Sequence, residues 1–379
     1  MIDYEILRLI WWGLVGILLI GFAITDGFDL GVGALLTFVG KTDNERRVLI
    51  NTIGPHWDGN QVWFITAGGA IFAAWPLVYA TAFSGFYLAL MLTLAALWMR
   101  PLGFDYRSKL TSAKWRKTWD WLLFAGGLIP ALIFGVAFGN LLLGVPFSMD
   151  STLKATYSGS FFGLLRPFAL LAGIVSVAML MMHGATWLQL KTADQLQQRA
   201  QQVAFYFAIL TSVLFCLGGV WVAFGVDGFV VTSPIDTLAP SNPLNKTVET
   251  VSGAWLNNYA SYPWMIAAPA LGVMSPWAVA LYSSQGKGGK AFLFSALTIA
   301  GIILTAGFSM FPFLMPSNTM MNASLTIWDA TSSHLTLAIM FWVAILFVPI
   351  VLAYTGWSFY VMRGRIKEAQ VLANSHSMY

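Results

Sequence analysis

Long, charge-free apolar stretches separated by short charged connections form the pattern of the whole chain. A membrane-spanning helix needs about 20 apolar residues, and the stretches provide them. Residues 59–99 carry no charge and are too long for one helix, and Trp75-Pro76 interrupts them, so they predict two spans. The pattern predicts nine spans in all, from residues 9–25 (prolonged by 30–39), 59–99, 121–149, 167–190, 200–226, 250–286, 291–328 and 330–362.

The composition indicates an all-α polytopic membrane protein. Of the 379 residues, 58% are apolar and 9% are charged, whereas a soluble protein carries about 25% charged residues. No soluble domain, short repeat or low-complexity segment is visible, so we expect a single membrane domain over 1–379. The first apolar run follows Asp3, Glu5 and Arg8 without a cleavage site, which predicts an uncleaved first helix.

The distribution of positive charge predicts the orientation. Sixteen of the twenty lysines and arginines lie in connections after odd-numbered spans, and only Arg8, Lys154, Arg166 and Lys246 lie on the other side. The positive-inside rule places the sixteen in the cytoplasm, so the N-terminus lies outside and the C-terminus inside. Because these basic residues belong to loops between spans, we expect no nucleic-acid partner. The longest outside connection covers 227–262 and contains the turn-rich Pro240-Ser241-Asn242-Pro243.

Four acidic residues, Asp26, Asp29, Asp58 and Asp105, lie in or beside spans near the cytoplasmic side. A charged side chain at the centre of a bilayer costs about 2.5–3.5 kcal/mol on insertion scales, so such residues usually have a function. They predict a proton path, most strongly through Asp29 or Asp58 and less strongly through Asp26.

Structural alternatives remain for all four acids. Asp26 can bond backbone where Gly27 loosens the helix, and Asp29 and Asp58 can form a polar network between helices. Asp105 can pair at the interface with Arg100 or Arg107.

The chain is poor in redox ligands. Cys216 is the single cysteine, and His56, His183, His334 and His376 form no His-x-x-x-His or Glu-x-x-His motif. We therefore expect no metal ligands here. If the protein belongs to a redox enzyme, its metals are held by another chain.

Several polar strings resemble subunit II of the cytochrome bd ubiquinol oxidase family, and the resemblance extends over nearly the whole chain. The strings are 26–31 (DGFDLG), 56–63 (HWDGNQVW), 100–107 (RPLGFDYR), 137–140 (AFGN), 253–255 (GAW), 311–317 (FPFLMPS) and 324–333 (SLTIWDATSS).

The resemblance implies a bacterial inner-membrane oxidase that couples quinol oxidation to reduction of dioxygen to water. It builds a proton gradient without pumping. Subunit I of the family binds low-spin heme b, high-spin heme b and heme d, the last two at the interface with subunit II. Subunit II has nine helices in two four-helix bundles plus a peripheral helix, with a periplasmic N-terminus. The resemblance also implies a structurally bound ubiquinone, contact with membrane lipid and small single-helix accessory subunits.

The resemblance also implies roles for individual residues. Asp58 is the leading candidate for the proton path, with Asp29 and Asp105 beside it. Trp57 would lie near the hemes at the interface, and Trp63 at the mouth of an oxygen path. No family role matches His183 or His334.

Two other functions compete with an oxidase subunit. A secondary transporter or proton channel would bind coupling ions at buried acids and would favour inverted repeats, of which none is visible. A purely structural partner of a catalytic subunit is the third possibility.

Overall fold

The computed structural model describes residues 2–373 and 379, so His376 lies outside the described residues. The helices in this part are α1 Tyr4–Val39, α2 Asp43–Ile53, α3 Trp57–Ala74, α4 Pro76–Gly85, α5 Tyr87–Tyr106, α6 Ala113–Leu143, α7 Pro167–Lys191, α8 Asp194–Gly225, α9 Asn257–Ser261, α10 Ala267–Ser284, α11 Gly288–Met310, α12 His334–Val361 and α13 Glu368–Ala373. Short 3-10 turns cover Phe162–Leu164, Pro243–Asn245, Ala254–Leu256, Pro263–Ile266 and Met321–Ala323.

Eight helices of the described residues are long and apolar enough to cross a membrane. They are α1, α5, α6, α7, α8, α10 with its preceding turn, α11 and α12. The mostly helical membrane class is therefore confirmed. α3 has 18 residues and is not among the eight, since Asp58, Asn60 and Gln61 make its first turn polar.

The break at Trp75-Pro76 is confirmed, because α3 ends at Ala74 and α4 begins at Pro76. The second half of the 59–99 stretch differs from the prediction. It is divided at Phe86 into the short α4 and the longer α5, and α5 continues past Arg100 to Tyr106. Arg100 consequently lies inside a helix and is buried, rather than ending the span at the interface.

Three two-stranded antiparallel hairpins interrupt the all-α pattern, and all three lie in connections predicted to face outside. They are β1 Phe147–Met149 with β2 Ala155–Tyr157, β3 Asp227–Val231 with β4 Val248–Ser252, and β5 Phe313–Met315 with β6 Leu325–Thr326. Pairing satisfies backbone groups in connections that pack on the helix ends.

The 227–262 connection is anchored to the start of α1 by a buried arginine. Arg8 donates to the carbonyl oxygens of Thr237 at 2.6 Å and Ala239 at 3.0 Å and to the Thr331 hydroxyl at 2.9 Å. Lys246 of the same connection pairs with Asp329 at 2.8 Å. These connections are thus fixed to the helices by polar contacts.

Glycines allow α1 to lie close against α6 and α7. A Cβ on Gly31 would lie 2.0 Å from the carbonyl oxygen of Leu180, and one on Gly184 would lie 2.6 Å from the Gly31 backbone. On the α6 side, a Cβ on Gly127 would lie 2.4 Å from the Leu30 carbonyl oxygen. Small residues at helix contacts allow this approach in membrane proteins. α1 is therefore held centrally, in contact with α3, α6 and α7.

We expect Gly31→Ala to destabilise the protein by about 1–3 kcal/mol, because the added methyl group meets α7 backbone and the helices must separate. Gly16→Ala in the same helix is the matched control, since its Cβ would meet nothing within 4 Å. Thermal unfolding of the purified protein measures both. Equal midpoints for the two variants would show that the close contact is unimportant.

Candidate functional site

A buried arginine with two carboxylates lies between α1 and α5. Arg100 binds Asp26 in a bidentate pair, with Nη1 to Oδ2 at 2.9 Å and Nη2 to Oδ1 at 2.6 Å. Its Nη2 also lies 3.7 Å from Oδ2 of Asp29. From α3, the Asn60 amide donates to the same Asp29 oxygen at 2.8 Å. We call Asp26, Asp29, Asn60 and Arg100 the buried acid cluster.

Local geometry explains how the buried acid cluster forms. Asp26 and Asp29 are three residues apart on the unbroken α1, so they lie on one helix face. A buried charge requires a partner, and the Arg100 guanidinium provides fixed donors that match a carboxylate. Each member of the cluster is less than 3% exposed, which places the pair in a low-dielectric environment.

The cluster has one more carboxylate than cations, so it can accept one proton and become neutral. Among the described residues, Oδ1 of Asp29 and Nε of Arg100 are buried without a hydrogen-bond partner. Asp29 therefore keeps one oxygen available for a proton, while both oxygens of Asp26 are occupied by the guanidinium. The alternative of capping or backbone bonding by Asp26 is replaced by a side-chain pair, because both of its carboxylate oxygens accept from Arg100.

A second ionic network, on α2, α6 and the α5–α6 connection, was missed by the sequence analysis. Arg107 contacts Asp120 at 2.6 Å and Asp43 at 2.8 Å. Arg46 pairs with Asp120 at 2.8 Å, and Arg116 pairs with Asp43 at 2.7 Å. The only signal in the sequence was Asp120, an acid inside a helix that is otherwise apolar beyond its first turns.

These pairs change the interpretation of Asp105. Asp105 is exposed and pairs with neither Arg100 nor Arg107, since those arginines bind other carboxylates. The alternative of an Asp105 ion pair with either arginine is therefore wrong.

Asp58 is also exposed, and it is separate from the buried acid cluster. Its neighbour Asn60, two residues further along α3, is the residue that contacts Asp29. The alternative of a direct Asp29–Asp58 network between helices is replaced by an Asp29–Asn60 contact. Trp57 is half-buried, and its ring lies 6.0 Å from the ring of Phe104 on α5.

Trp63 packs against α1 at a glycine. A Cβ on Gly21 would lie 2.5 Å from the indole ring, so the ring lies flush on the α1 backbone. Beside it, Phe64 lines an apolar cavity of about 550 Å³ between α1, α6, α7, α8, α10 and α11. Trp63 itself is not among the lining residues of this cavity.

Two of the histidines serve as hydrogen-bonded links between elements. Nδ1 of His183 lies 2.7 Å from the Ser295 hydroxyl, and its Nε2 lies 2.9 Å from the Ile24 carbonyl oxygen, so both ring nitrogens are occupied. Nε2 of His334 bonds the Ile2 carbonyl oxygen at 2.7 Å. These contacts connect α7 with α1 and α11, and α12 with the start of the chain.

His56, ahead of α3, is buried and stacks on the Phe359 ring at 4.5 Å. Burial and the nearby Lys191 ammonium lower its pKa to about 4, so it is neutral at physiological pH. None of His56, His183 and His334 lines the large cavity, and the described residues contain no cluster of three His, Cys, Asp or Glu side chains suited to a metal.

Comparisons with known proteins identify the family. The sequence model of cytochrome bd terminal oxidase subunit II matches residues 7–362. This chain belongs to that family. It is 59% identical over 379 residues to cytochrome bd-I ubiquinol oxidase subunit 2 of Escherichia coli strain K12, covering 100% of both chains. It is 34% identical over 364 residues to cytochrome bd ubiquinol oxidase subunit 2 of Bacillus subtilis, covering 95% of this chain and 97% of that one.

The fold also matches that of a solved bd oxidase from Geobacillus thermodenitrificans. The TM-score is 0.66, and the match covers 98% of this chain and 99% of that chain at 15% identity. The family match and the 59% identity make this bd oxidase subunit part of a terminal oxidase of the bacterial inner membrane. The family resemblance of the polar strings is confirmed, and the transporter hypothesis is not supported.

We expect Arg100→Gln to destabilise the bd oxidase subunit by about 3–5 kcal/mol, because it leaves two buried carboxylates without their cation. Arg116→Gln is the matched control. Its pair with Asp43 is partly exposed, with 30% and 37% of the two side chains accessible, and such pairs contribute about 0–1 kcal/mol. Thermal unfolding of the purified complex measures the stability of each variant, and its heme content shows whether the complex has assembled. A similar midpoint loss in the two variants would contradict the special role of the buried pair.

Proposed function

We propose that this chain is the subunit of a quinol:oxygen oxidoreductase that supports the hemes and contributes access for protons and oxygen. The enzyme would oxidise ubiquinol, reduce dioxygen to water and build a proton gradient by taking up protons from the cytoplasm, without pumping. The observation that carries the proposal is the buried acid cluster, which joins the two polar strings of the sequence in a chain of the oxidase family.

The hemes are assigned to subunit I. Low-spin heme b, high-spin heme b and heme d would be ligated there, because the histidines described here are engaged in internal contacts. Heme supplies the redox chemistry when bound by the partner. This chain's own residues would close the interface and conduct protons towards it.

The finer architecture belongs to the same proposal. We assign nine spans in one membrane domain, with α3 as the ninth beside the eight helices that are long and apolar enough to cross a membrane. The spans would form two four-helix bundles plus peripheral α12, whose residues 345–354 are exposed on every side. The sixteen positive charges support a periplasmic N-terminus and a cytoplasmic C-terminus.

One face of α3 would dock on subunit I. Asp58, Val62, Ile65, Gly69 and Phe72 are all exposed and recur at intervals of three or four residues, which aligns them in one stripe. A carboxylate that faces lipid is unfavourable, whereas one that faces a polar group of a partner is not. The position of Asp58 at the cytoplasmic end of this stripe supports a proton route that crosses to subunit I there.

The proton route would begin at the exposed carboxylates Asp105 and Asp58 and include Asp29 behind Asn60. Asp29 has the free oxygen of the buried acid cluster and is the better proton carrier of its two acids. Asp26 would position Arg100. In this assignment Asp105 and Asp58 collect protons from the cytoplasm. Asp26 and Arg100 balance charge beside Asp29.

The apolar cavity of about 550 Å³ supports a structurally bound ubiquinone, because long apolar walls suit an isoprenoid tail. Trp63 would lie near the start of an apolar oxygen path along α1 and α3. Small single-helix subunits and lipid would cover the remaining apolar faces.

We expect Asp58→Asn to slow turnover by about 10²-fold or more while the complex still assembles, because the amide keeps the size of the side chain but cannot relay a proton. Quinol-driven oxygen consumption measures turnover, and the optical spectrum reports assembly. Asp227→Asn, an exposed acid of the outside β3, is the control. Wild-type turnover in Asp58→Asn would eliminate the proton role.

We expect Trp63→Ala to change the apparent oxygen affinity more than the apparent quinol affinity, because the ring lies on the helix pair of the proposed oxygen path. Oxygen-dependent rates at saturating quinol test it, with Trp277→Ala, an exposed ring on α10, as the control. An unchanged oxygen dependence would refute the assignment.

The experiment that tests the proposal as a whole is a reduced-minus-oxidised optical spectrum of the chain purified with its partners from native membranes. Bands of heme b and heme d, together with a heme-bearing subunit, are expected. A folded preparation that shows no heme bands and contains no heme-bearing subunit would favour the hypothesis of a secondary transporter.

A further inference from the structure

Tyr379 packs against α2, on its cytoplasmic side, in a site formed by Arg47, Asn51 and Gly54 that we call the cradle. The sequence analysis did not detect this contact. Its main-chain N–H donates to Oδ1 of Asn51 at 3.1 Å, and its main-chain oxygen accepts from Nδ2 of Asn51 at 2.9 Å. Nε of Arg47 donates to the same oxygen at 3.1 Å. These three bonds fix the residue to one face of α2.

The aromatic ring of Tyr379 fills the space above a glycine. A Cβ on Gly54 would lie 2.6 Å from the ring, so the ring lies directly on the backbone at the end of α2. On its other side the ring contacts Phe104 on α5, with centroids 6.0 Å apart. Tyr379 thereby joins the α2–α3 corner to α5.

The cradle adjoins the proposed site of proton uptake. Phe104 also contacts Trp57, with ring centroids 6.0 Å apart, and Trp57 directly precedes Asp58. Asp105 follows Phe104 in the chain, and burial together with the Asp105 carboxylate raises the pKa of the Tyr379 phenol. The phenol therefore stays neutral and does not itself supply a charge. The rings of Tyr379, Phe104 and Trp57 thus contact one another in sequence, and the last two directly neighbour Asp105 and Asp58 in the chain.

We propose that Tyr379 is a positioning residue for proton uptake: it holds the α2–α3 corner and Phe104, and through Trp57 it fixes the orientation of Asp58. The proposal rests on the proton route through Asp58 described above. The direction of a carboxylate at the start of a helix depends on how the preceding corner is held, and at Gly54 that corner has no side chain to pack against α5. The Tyr379 ring takes the place of the missing side chain.

Tyr379→Ala in the complete oxidase tests the proposal. We expect kcat to fall roughly tenfold, less than the ~10²-fold that a full 1 Å misplacement can cost. The KM for quinol should stay unchanged, because in this proposal Tyr379 acts on proton uptake and not on quinol binding. The solvent deuterium isotope effect should rise, because proton uptake then limits turnover.

Two further variants make the test specific. Asn51→Leu removes two of the main-chain bonds and should produce the same pattern if Tyr379→Ala proves unstable. Leu372→Ala on α13 is the matched control, since that side chain is 55% exposed and belongs to the same part of the chain. Intact heme bands are required for each variant before its rate is compared.

A double-mutant cycle with Asp58→Asn separates the possible outcomes. If Tyr379 acts through Asp58, Tyr379→Ala adds no further slowing in the Asp58→Asn background. Additive slowing, or wild-type kcat and isotope effect in both Tyr379→Ala and Asn51→Leu, would overturn the inference while leaving the proton route intact. Wild-type turnover in Asp58→Asn alone would overturn the route, and the inference with it.

Discussion

The structure depends on the neutralisation of charge inside the membrane by Arg100 and its two carboxylates. Three ionisable groups in a low-dielectric interior are tolerated because the guanidinium satisfies Asp26 in a bidentate pair and approaches Asp29. This requirement brings α5 against α1, and the Asn60 amide brings the start of α3 to the same place. The arrangement of the first three long helices follows from one buried cation.

Close backbone approach is the second condition for this arrangement. Gly31 and Gly184 let α1 and α7 come within van der Waals contact of each other's backbone, and His183 bonds across the same contact to Ile24. Because α1 cannot shift without breaking these contacts, the carboxylates it carries are held rigidly. A fixed carboxylate that retains one unbonded oxygen is a suitable group for a proton relay, since its surroundings need little reorganisation.

The four acids differ in their exposure. Asp26 and Asp29 are internal and share a cation, whereas Asp58 and Asp105 are exposed on the isolated chain. An exposed carboxylate at the end of an otherwise apolar stripe on α3 requires water or polar groups of a partner around it, because lipid would not solvate it. We therefore propose that this face of α3 forms one part of a site that subunit I completes in the complex.

The sequence by itself determined the membrane class, the break at Trp75-Pro76 and the family, because these follow from hydropathy and from local strings. It did not determine which charges meet. Arg100 and Asp26 are 74 residues apart, as are Arg46 and Asp120, so only helix packing brings them together. The pairing of Asp105 was wrong for that reason, and the contacts of Asn60 and Tyr379 gave no local signal. Hydropathy fixes which segments enter the membrane, but the partner of each buried charge is decided by the tertiary structure, where the low dielectric makes pairing obligatory.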